Sequence, residues 1–370
     1  MNAPHQTTHG RVESPTGALA TVDGRVLLSF GGSGYLGLGS EPGLIDAGCD
    51  ALRTYGAHSQ LARHYGFNLG ANLEAEDQAR RFFDVEGVMY FGAGYLFGLI
   101  ALTGLAPRCD AIFIDEAAHY CLQDGASITG RPVHTFAHRD PEDLARTISR
   151  ALRPDERPLV ATDGMFATFG SIAPLEDYDR VIAPYDGWLV VDESHAFGTL
   201  GTHGRGAVEA AGLRRDRVVA GGSMAKAFAA HGGLALGAAD VIAQLWKTPA
   251  ARGAALGCSA GAAMTAASLR HVRGHPQALT RLRANARVLK VGLRALGLAV
   301  EENEGPIATF VHGDARNMQR IQAALMAQGI FIAYSTYVGA GVGGALRIAA
   351  FADHQPEHIE RLLKTLRDLL

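Results

Sequence analysis

The amino-acid sequence predicts an α/β fold: a large, mostly parallel sheet domain followed by a smaller α+β C-terminal domain. Three observations carry this. Short apolar runs recur without polar alternation, as strands buried on both faces of a helix-covered sheet require. Helical patterns separate those runs. Toward the C-terminus the pattern changes to one long amphipathic stretch followed by three short apolar runs and a closing helix.

In chain order, residues 1–40 read as an N-terminal segment. Its opening, MNAPHQTTHGRVESPTG, is polar and lacks the apolar core of a signal peptide, so a cytoplasmic protein is expected. Residues 41–255 form the large domain. The uncharged stretch GVMYFGAGYLFGLIALTGLAP, from Gly87 to Pro107, is nearly long enough to span a bilayer, but five glycines interrupt it. A buried strand, VMYF, then a tight GAG turn and a buried helix fit it better, and no membrane partner is expected. Further strands are expected at AIFI (111–114), PLVAT (158–162), WLVVD (188–192) and RVVAG (217–221). Residues 256–370 form the small domain, with a helix over 277–297, the apolar runs IATFVH, GIFIAY and ALRIAAF, and a closing helix over 356–370.

Composition bounds the function. The 370 residues exceed what one core usually organises. Hydrophobic residues make up 48% and charged residues 19%, the mixture of a globular enzyme. A net charge of -3 supplies no field for nucleic acid, and Arg214, Arg215 and Arg217 around Asp216 read as a solvated cluster. Cys49, Cys109, Cys121 and Cys258 form no CxxC pair, so neither a disulfide framework nor a metal site is expected.

The polar residues at the strand ends point to chemistry. Asp192 closes WLVVD and His195 follows three residues later; downstream, GGSMAKAFAAHGG isolates Lys226 among small residues. Desolvation there favours the free, nucleophilic amine. Singly, each residue is ordinary: a surface lysine, a capping acid, a turn histidine. Together they suit pyridoxal 5'-phosphate, with Lys226 forming the Schiff base and Asp192 pairing with the pyridine nitrogen.

The ordered motifs Y-L-G-L, G-A-G-Y, D-x-x-x-H, D-E-S-H and K-A-F resemble the α-oxoamine synthase family of fold-type-I pyridoxal-phosphate enzymes, and the resemblance covers nearly the whole chain, from Gly34 to Leu363. The resemblance implies that His119, in DEAAHYCLQDG, stacks on the cofactor ring. It implies that Asp192 holds the ring nitrogen, that His195 sits near the phenolic oxygen, and that Lys226 bears the cofactor. It gives the phosphate to the backbone of Ala93 and Gly94, the side chain of Tyr95 and Ser223, and more loosely to Ser259, in a segment through which a second subunit reaches it. Arg347, in ALRIAAFADH, would hold the amino-acid carboxylate as a bidentate fork. A homodimer is implied.

The sequence also departs from the family. Ala167 replaces the usual serine near the phenolic oxygen, and Phe169 replaces an acid two residues on. Gln60 stands where many members carry arginine. A proline-bearing loop near the substrate becomes YSTYVGAGVGG, Tyr334 to Gly344.

The implied activity is decarboxylative condensation of an amino acid with an acyl thioester, carried on coenzyme A or an acyl carrier protein, to give an α-amino ketone. The altered loop motivates an alternative: another pyridoxal-phosphate reaction on an amino acid, such as transamination, racemisation, aldol cleavage or decarboxylation. A silent cofactor-binding partner protein is a third reading, which the retention of Lys226, Asp192, His119 and Arg347 opposes. A nicotinamide-binding protein is disfavoured because no G-x-G-x-x-G opens a helix after an early strand.

Overall fold

The computed structural model describes residues 10–57, 63–254 and 257–370. The described residues form thirteen strands: β1 (Leu19–Val22), β2 (Arg25–Ser29), β3 (Gly87–Phe91), β4 (Ala111–Asp115), β5 (Val133–Phe136), β6 (Pro158–Asp163), β7 (Trp188–Asp192), β8 (Val218–Ser223), β9 (Gly233–Gly237), β10 (Ile307–Phe310), β11 (Ile330–Phe331), β12 (Ala333–Ser335) and β13 (Ala345–Ala349).

The main sheet has seven strands in the order β3-β9-β8-β7-β6-β4-β5. The pairs from β8 to β5 are parallel, and β9 runs antiparallel to both its neighbours. Strands β3, β4, β6, β7 and β9 are buried along their whole length, the reason their sequences are continuously apolar. Two apolar clusters cover the two faces. The ends of β3, β4, β6, β7 and β8 all open on one edge, where α/β sheets bind ligands.

The uncharged stretch divides as expected into β3, a turn, and the buried helix Leu96–Leu105. That helix meets the helix Tyr120–Ser127 backbone to backbone: a Cβ on Gly98 would lie 2.1 Å from the Cys121 carbonyl oxygen, and one on Gly125 2.5 Å from that of Gly98. The close approach presses the segment carrying His119 against the sheet edge.

Residues 10–40 are more structured than their polarity suggests. β1 and β2 form a hairpin on Asp23 (φ 49°) and Gly24 (φ 71°), the two left-handed positions that a tight Asp-Gly turn requires. β2 then pairs in parallel with β11, and β10-β13-β12 form a third, antiparallel sheet. Leu28 and Phe30 join the apolar cluster of the C-terminal region with Leu289, Ile321, Ile348 and Leu362. The letters of Gly32–Gly37 fit G-x-G-x-x-G after β2, but the next helix starts only at Pro42 and β2 lies outside the main sheet.

Candidate active site

Each strand end delivers one polar group. Asp192 ends β7 and is buried; its Oδ1 accepts from the Ser194 backbone N–H at 2.8 Å and its Oδ2 from the Cys121 thiol at 3.0 Å. Ser194 Oγ accepts from the Ser223 backbone N–H at 2.8 Å, which ties the ends of β7 and β8 together. Glycine is required between them: Gly222 has φ 142°, and a Cβ there would sit 2.4 Å from Ser194 Oγ.

Asp115, ending β4, is buried and accepts from the N–H groups of Ala117 and Arg139, fixing the loop that leads to His119. The His119 backbone N–H donates to Asp163 Oδ1 at 3.1 Å, so this loop hangs from β6 as well. His119 Nδ1 caps the next helix by accepting from the Cys121 N–H at 3.2 Å. Burial holds the imidazole below its ordinary pKa. A neutral ring with Nδ1 as acceptor carries its proton on Nε2, which donates to Tyr337 Oη at 2.8 Å. The ligand atoms of His119, Cys121 and Asp192 lie within 4.8 Å of one another.

Lys226 sits half-buried in the turn after β8 and makes no side-chain hydrogen bond or ion pair among the described residues. Burial lowers its pKa, while the Asp192 and Asp163 carboxylates oppose that shift. The site therefore holds an uncommitted amine facing a carboxylate.

Ala93, Gly94 and Tyr95 form the turn before the helix Leu96–Leu105, and among the described residues their backbone N–H groups bond to nothing. Gly94 packs against Ser223, where a Cβ would meet the serine Cα at 2.5 Å. Ser223 Oγ accepts from the Ala225 N–H at 3.1 Å, which leaves its own proton to donate. Three free N–H groups at a helix start beside a hydroxyl make a cradle for a phosphate dianion. The Tyr95 side chain turns elsewhere: its hydroxyl donates to Asp124, which pushes the phenol up to about 12. Ser259 is fully buried and donates to the Gly56 carbonyl at 3.2 Å. Gln60 lies outside the described residues.

On the opposite wall, Arg347 of β13 is buried and held by backbone. Its Nε donates to the Ala167 carbonyl at 2.8 Å, Nη1 to the Gly32 carbonyl at 2.9 Å, and Nη2 to Tyr35 Oη at 3.1 Å. A guanidinium has five N–H donors, so each terminal nitrogen keeps one for a ligand. Tyr35 Oη lies 2.6 Å from His195 Nδ1. Burial, then the charges of Lys226 and Arg347, hold His195 well below its ordinary pKa, and it is neutral.

The donor set suits pyridoxal phosphate: an amine, a carboxylate, two neutral imidazoles and an anion cradle share one edge. Four contributors went unrecognised in the sequence. Asp163 has the same strand-end signal as Asp192, one residue beyond the expected strand. Tyr35 stood inside a quoted motif without a role. Cys121 and Tyr337 lay inside segments already singled out, the His119 motif and the altered loop, but nothing in their own spacing marked them.

The family model described as aminotransferase class I and II matches residues 32–366. The 8-amino-7-oxononanoate synthase of Nitrosococcus oceani is 33% identical, covering 97% of this chain and 96% of its own. The serine palmitoyltransferase of Caulobacter vibrioides is 30% identical over 99% of this chain and 91% of its own. Among solved structures, an S. paucimobilis serine palmitoyltransferase variant with a bound pyridoxal phosphate–myriocin aldimine superposes with a TM-score of 0.90 at 26% identity, covering 97% of this chain and 90% of its own. Among the described residues, no helix is long and apolar enough to cross a membrane.

Proposed function

The chain belongs to the class I and II aminotransferase family, and we propose that it is a pyridoxal-phosphate-dependent acyltransferase of the α-oxoamine synthase type. It would condense an amino acid with an acyl thioester, with loss of carbon dioxide, to give an α-amino ketone. The observation that carries this reading is the pairing of the free Lys226 amine and Asp192 at one strand edge with an arginine, Arg347, whose terminal nitrogens keep N–H groups free.

Bound pyridoxal phosphate supplies an electron sink for a carbanion at the amino-acid α-carbon. The chain's own groups do the rest. The N–H groups of Ala93, Gly94 and Tyr95 and the Ser223 hydroxyl hold the phosphate. Asp192, its second oxygen held by the Cys121 thiol, would pair with the ring nitrogen. Arg347 binds the substrate carboxylate through its two remaining N–H groups, which orients the α-carbon toward Lys226. Lys226 Nζ, shifted toward its unprotonated form by its lowered pKa, takes the α-proton and later returns one. His119 and Tyr337 close the site above it.

The partners follow from the same reading: an amino acid, a thioester of coenzyme A or a carrier protein, and a second copy of the chain. Ile45, Leu52 and Tyr55 on the helix Pro42–Tyr55, with nearby Tyr65 and Phe67, are exposed apolar groups that favour such a dimer. All four cysteines are unpaired, which favours the cytoplasm.

The test is release of free thiol when the purified, cofactor-loaded protein meets amino acids and acyl thioesters, with Lys226→Ala as the inactive control. Pyridoxamine formation or α-proton exchange without thiol release from any pair would overturn the condensing reaction.

A further inference from the structure

Resting on the reading above, we propose that Tyr35 is a positioning residue that couples the substrate-carboxylate arginine, Arg347, to His195 through one buried hydroxyl. The three residues come from distant parts of the chain. Tyr35 follows β2, His195 follows β7, and Arg347 lies in β13. Tyr35 is 0% exposed, so every polar contact of its hydroxyl has to come from the protein.

Proton placement follows from donor chemistry. Arg347 Nη2, 3.1 Å away, can only donate, so Tyr35 Oη accepts there. His195 Nδ1, 2.6 Å away, is the other partner of the hydroxyl. If Nδ1 also carried a proton, the tyrosine O–H would be buried with no acceptor among the described residues, at a cost of about 1–3 kcal/mol. The hydroxyl therefore donates to Nδ1, and the neutral imidazole carries its proton on Nε2. Tyr35 thus selects which nitrogen of His195 is the donor.

The same bond transmits substrate occupancy. The groups facing His195 are Lys226, Arg347 and His119, all of which oppose a second proton on the ring, and Tyr35; no carboxylate hydrogen-bonds the ring among the described residues. A substrate carboxylate on Arg347 offsets the guanidinium charge and draws Nη2 away from Tyr35. The tyrosine O–H then becomes a weaker donor to Nδ1. Both effects make His195 more basic, so binding the carboxylate at one wall changes the proton affinity of the opposite one.

The experiment is a pH titration of the visible band of the bound cofactor, in wild type and Tyr35→Phe. It is run with no ligand, with L-serine, and with ethanolamine, which lacks the carboxylate. In wild type, L-serine is expected to displace the midpoint from that with ethanolamine by about one pH unit. In Tyr35→Phe the ligand-free midpoint shifts by about half a unit or more, and the two ligands then act alike. A variant that titrates like wild type and keeps the serine–ethanolamine difference overturns the coupling. Nitrogen-15 NMR of histidine-labelled wild-type holoenzyme tests the proton placement without a variant: an unprotonated Nδ1 and a protonated Nε2 are expected at His195, and a protonated Nδ1 overturns it. A wild-type protein that develops no visible band on saturation with pyridoxal phosphate overturns the proposed function and the coupling together. A normal band with an unchanged titration overturns the coupling alone.

Discussion

Asp163 and Asp192 stand opposite each other in register at the ends of β6 and β7, two buried carboxyl groups side by side. Burial first, and the Asp192 charge second, hold Asp163 well above the usual carboxylate range, so of the two it is the one that takes up a proton more readily. Asp163→Asn mimics that neutral form and keeps its oxygen for the His119 N–H. Its affinity for pyridoxal phosphate, measured by equilibrium dialysis, is expected to stay within about threefold of wild type. Asp192→Asn removes the charge that faces Lys226 and is expected to lower turnover by about 100-fold or more. Equal losses in both variants would show that the proton sits elsewhere.

The contact between Tyr337 and His119 gives a second prediction. Tyr337 is carried by a loop with left-handed glycines at 339, 341 and 344, and its ring meets Tyr120 edge-on at 5.2 Å. Tyr337→Phe keeps that packing and loses the acceptor for His119 Nε2–H. One lost hydrogen bond is worth about 1 kcal/mol, so KM for the amino acid is expected to rise about fivefold. Steady-state kinetics showing kcat and KM both unchanged would remove Tyr337 from the site.

Acid sensitivity is expected from His354. It stacks on Phe30 at 4.1 Å, accepts the Phe351 N–H at Nδ1, and donates from Nε2 to the Ser29 carbonyl. Burial lowers its pKa from 6.5 to about 4. Between those values the unfolded chain binds a proton that the folded one refuses, so stability rises with pH across this window and is lost as pH falls from 6.5 toward 4. Urea unfolding at a series of pH values should show a shallower dependence in His354→Gln. An unchanged slope would mean that the acid sensitivity lies in other groups.

The helix contact at Gly98 sets a packing prediction. Gly98→Ala forces a methyl group into the Cys121 carbonyl and is expected to cost about 1–3 kcal/mol, visible as a lower Tm. Because that helix pair positions His119, cofactor affinity should fall as well. A variant with wild-type Tm would show that the two helices separate freely.

Much of the fold was legible because burial on two faces writes itself as unbroken apolarity. WLVVD and AIFI needed no partner sequence to be read as strands. β9, GLALG, escaped because glycine at both ends made it look like a loop, and its direction depends on neighbours far away in sequence. The hairpin of β1 and β2 escaped because it packs outside the main sheet, with partly exposed side chains and no regular alternation. The same division runs through the site. Asp192, His195 and Lys226 could be read from strand ends, whereas Tyr35 and Tyr337 act through hydroxyl contacts across 160 and 218 residues of sequence, which no local pattern records. The Tyr95 hydroxyl, which the family resemblance points toward the phosphate, donates instead to Asp124.

The pairing of β2 with β11, extended by the Ala349 N–H donating to the Phe30 carbonyl and the Ala352 N–H to that of Tyr35, interlocks the first and last parts of the chain. During synthesis the seven-stranded sheet is complete once Gly237 has emerged and His195 is already in place for Tyr35, yet Arg347, the other partner of that hydroxyl, and the C-terminal partner of the Phe30 carbonyl are still unmade. A ribosome-bound intermediate would therefore hold the seven-stranded sheet with its strand-end groups but without Arg347, its early strands waiting for distant mates. On the proposed reading, the arginine that would grip the substrate carboxylate is among the last groups to arrive.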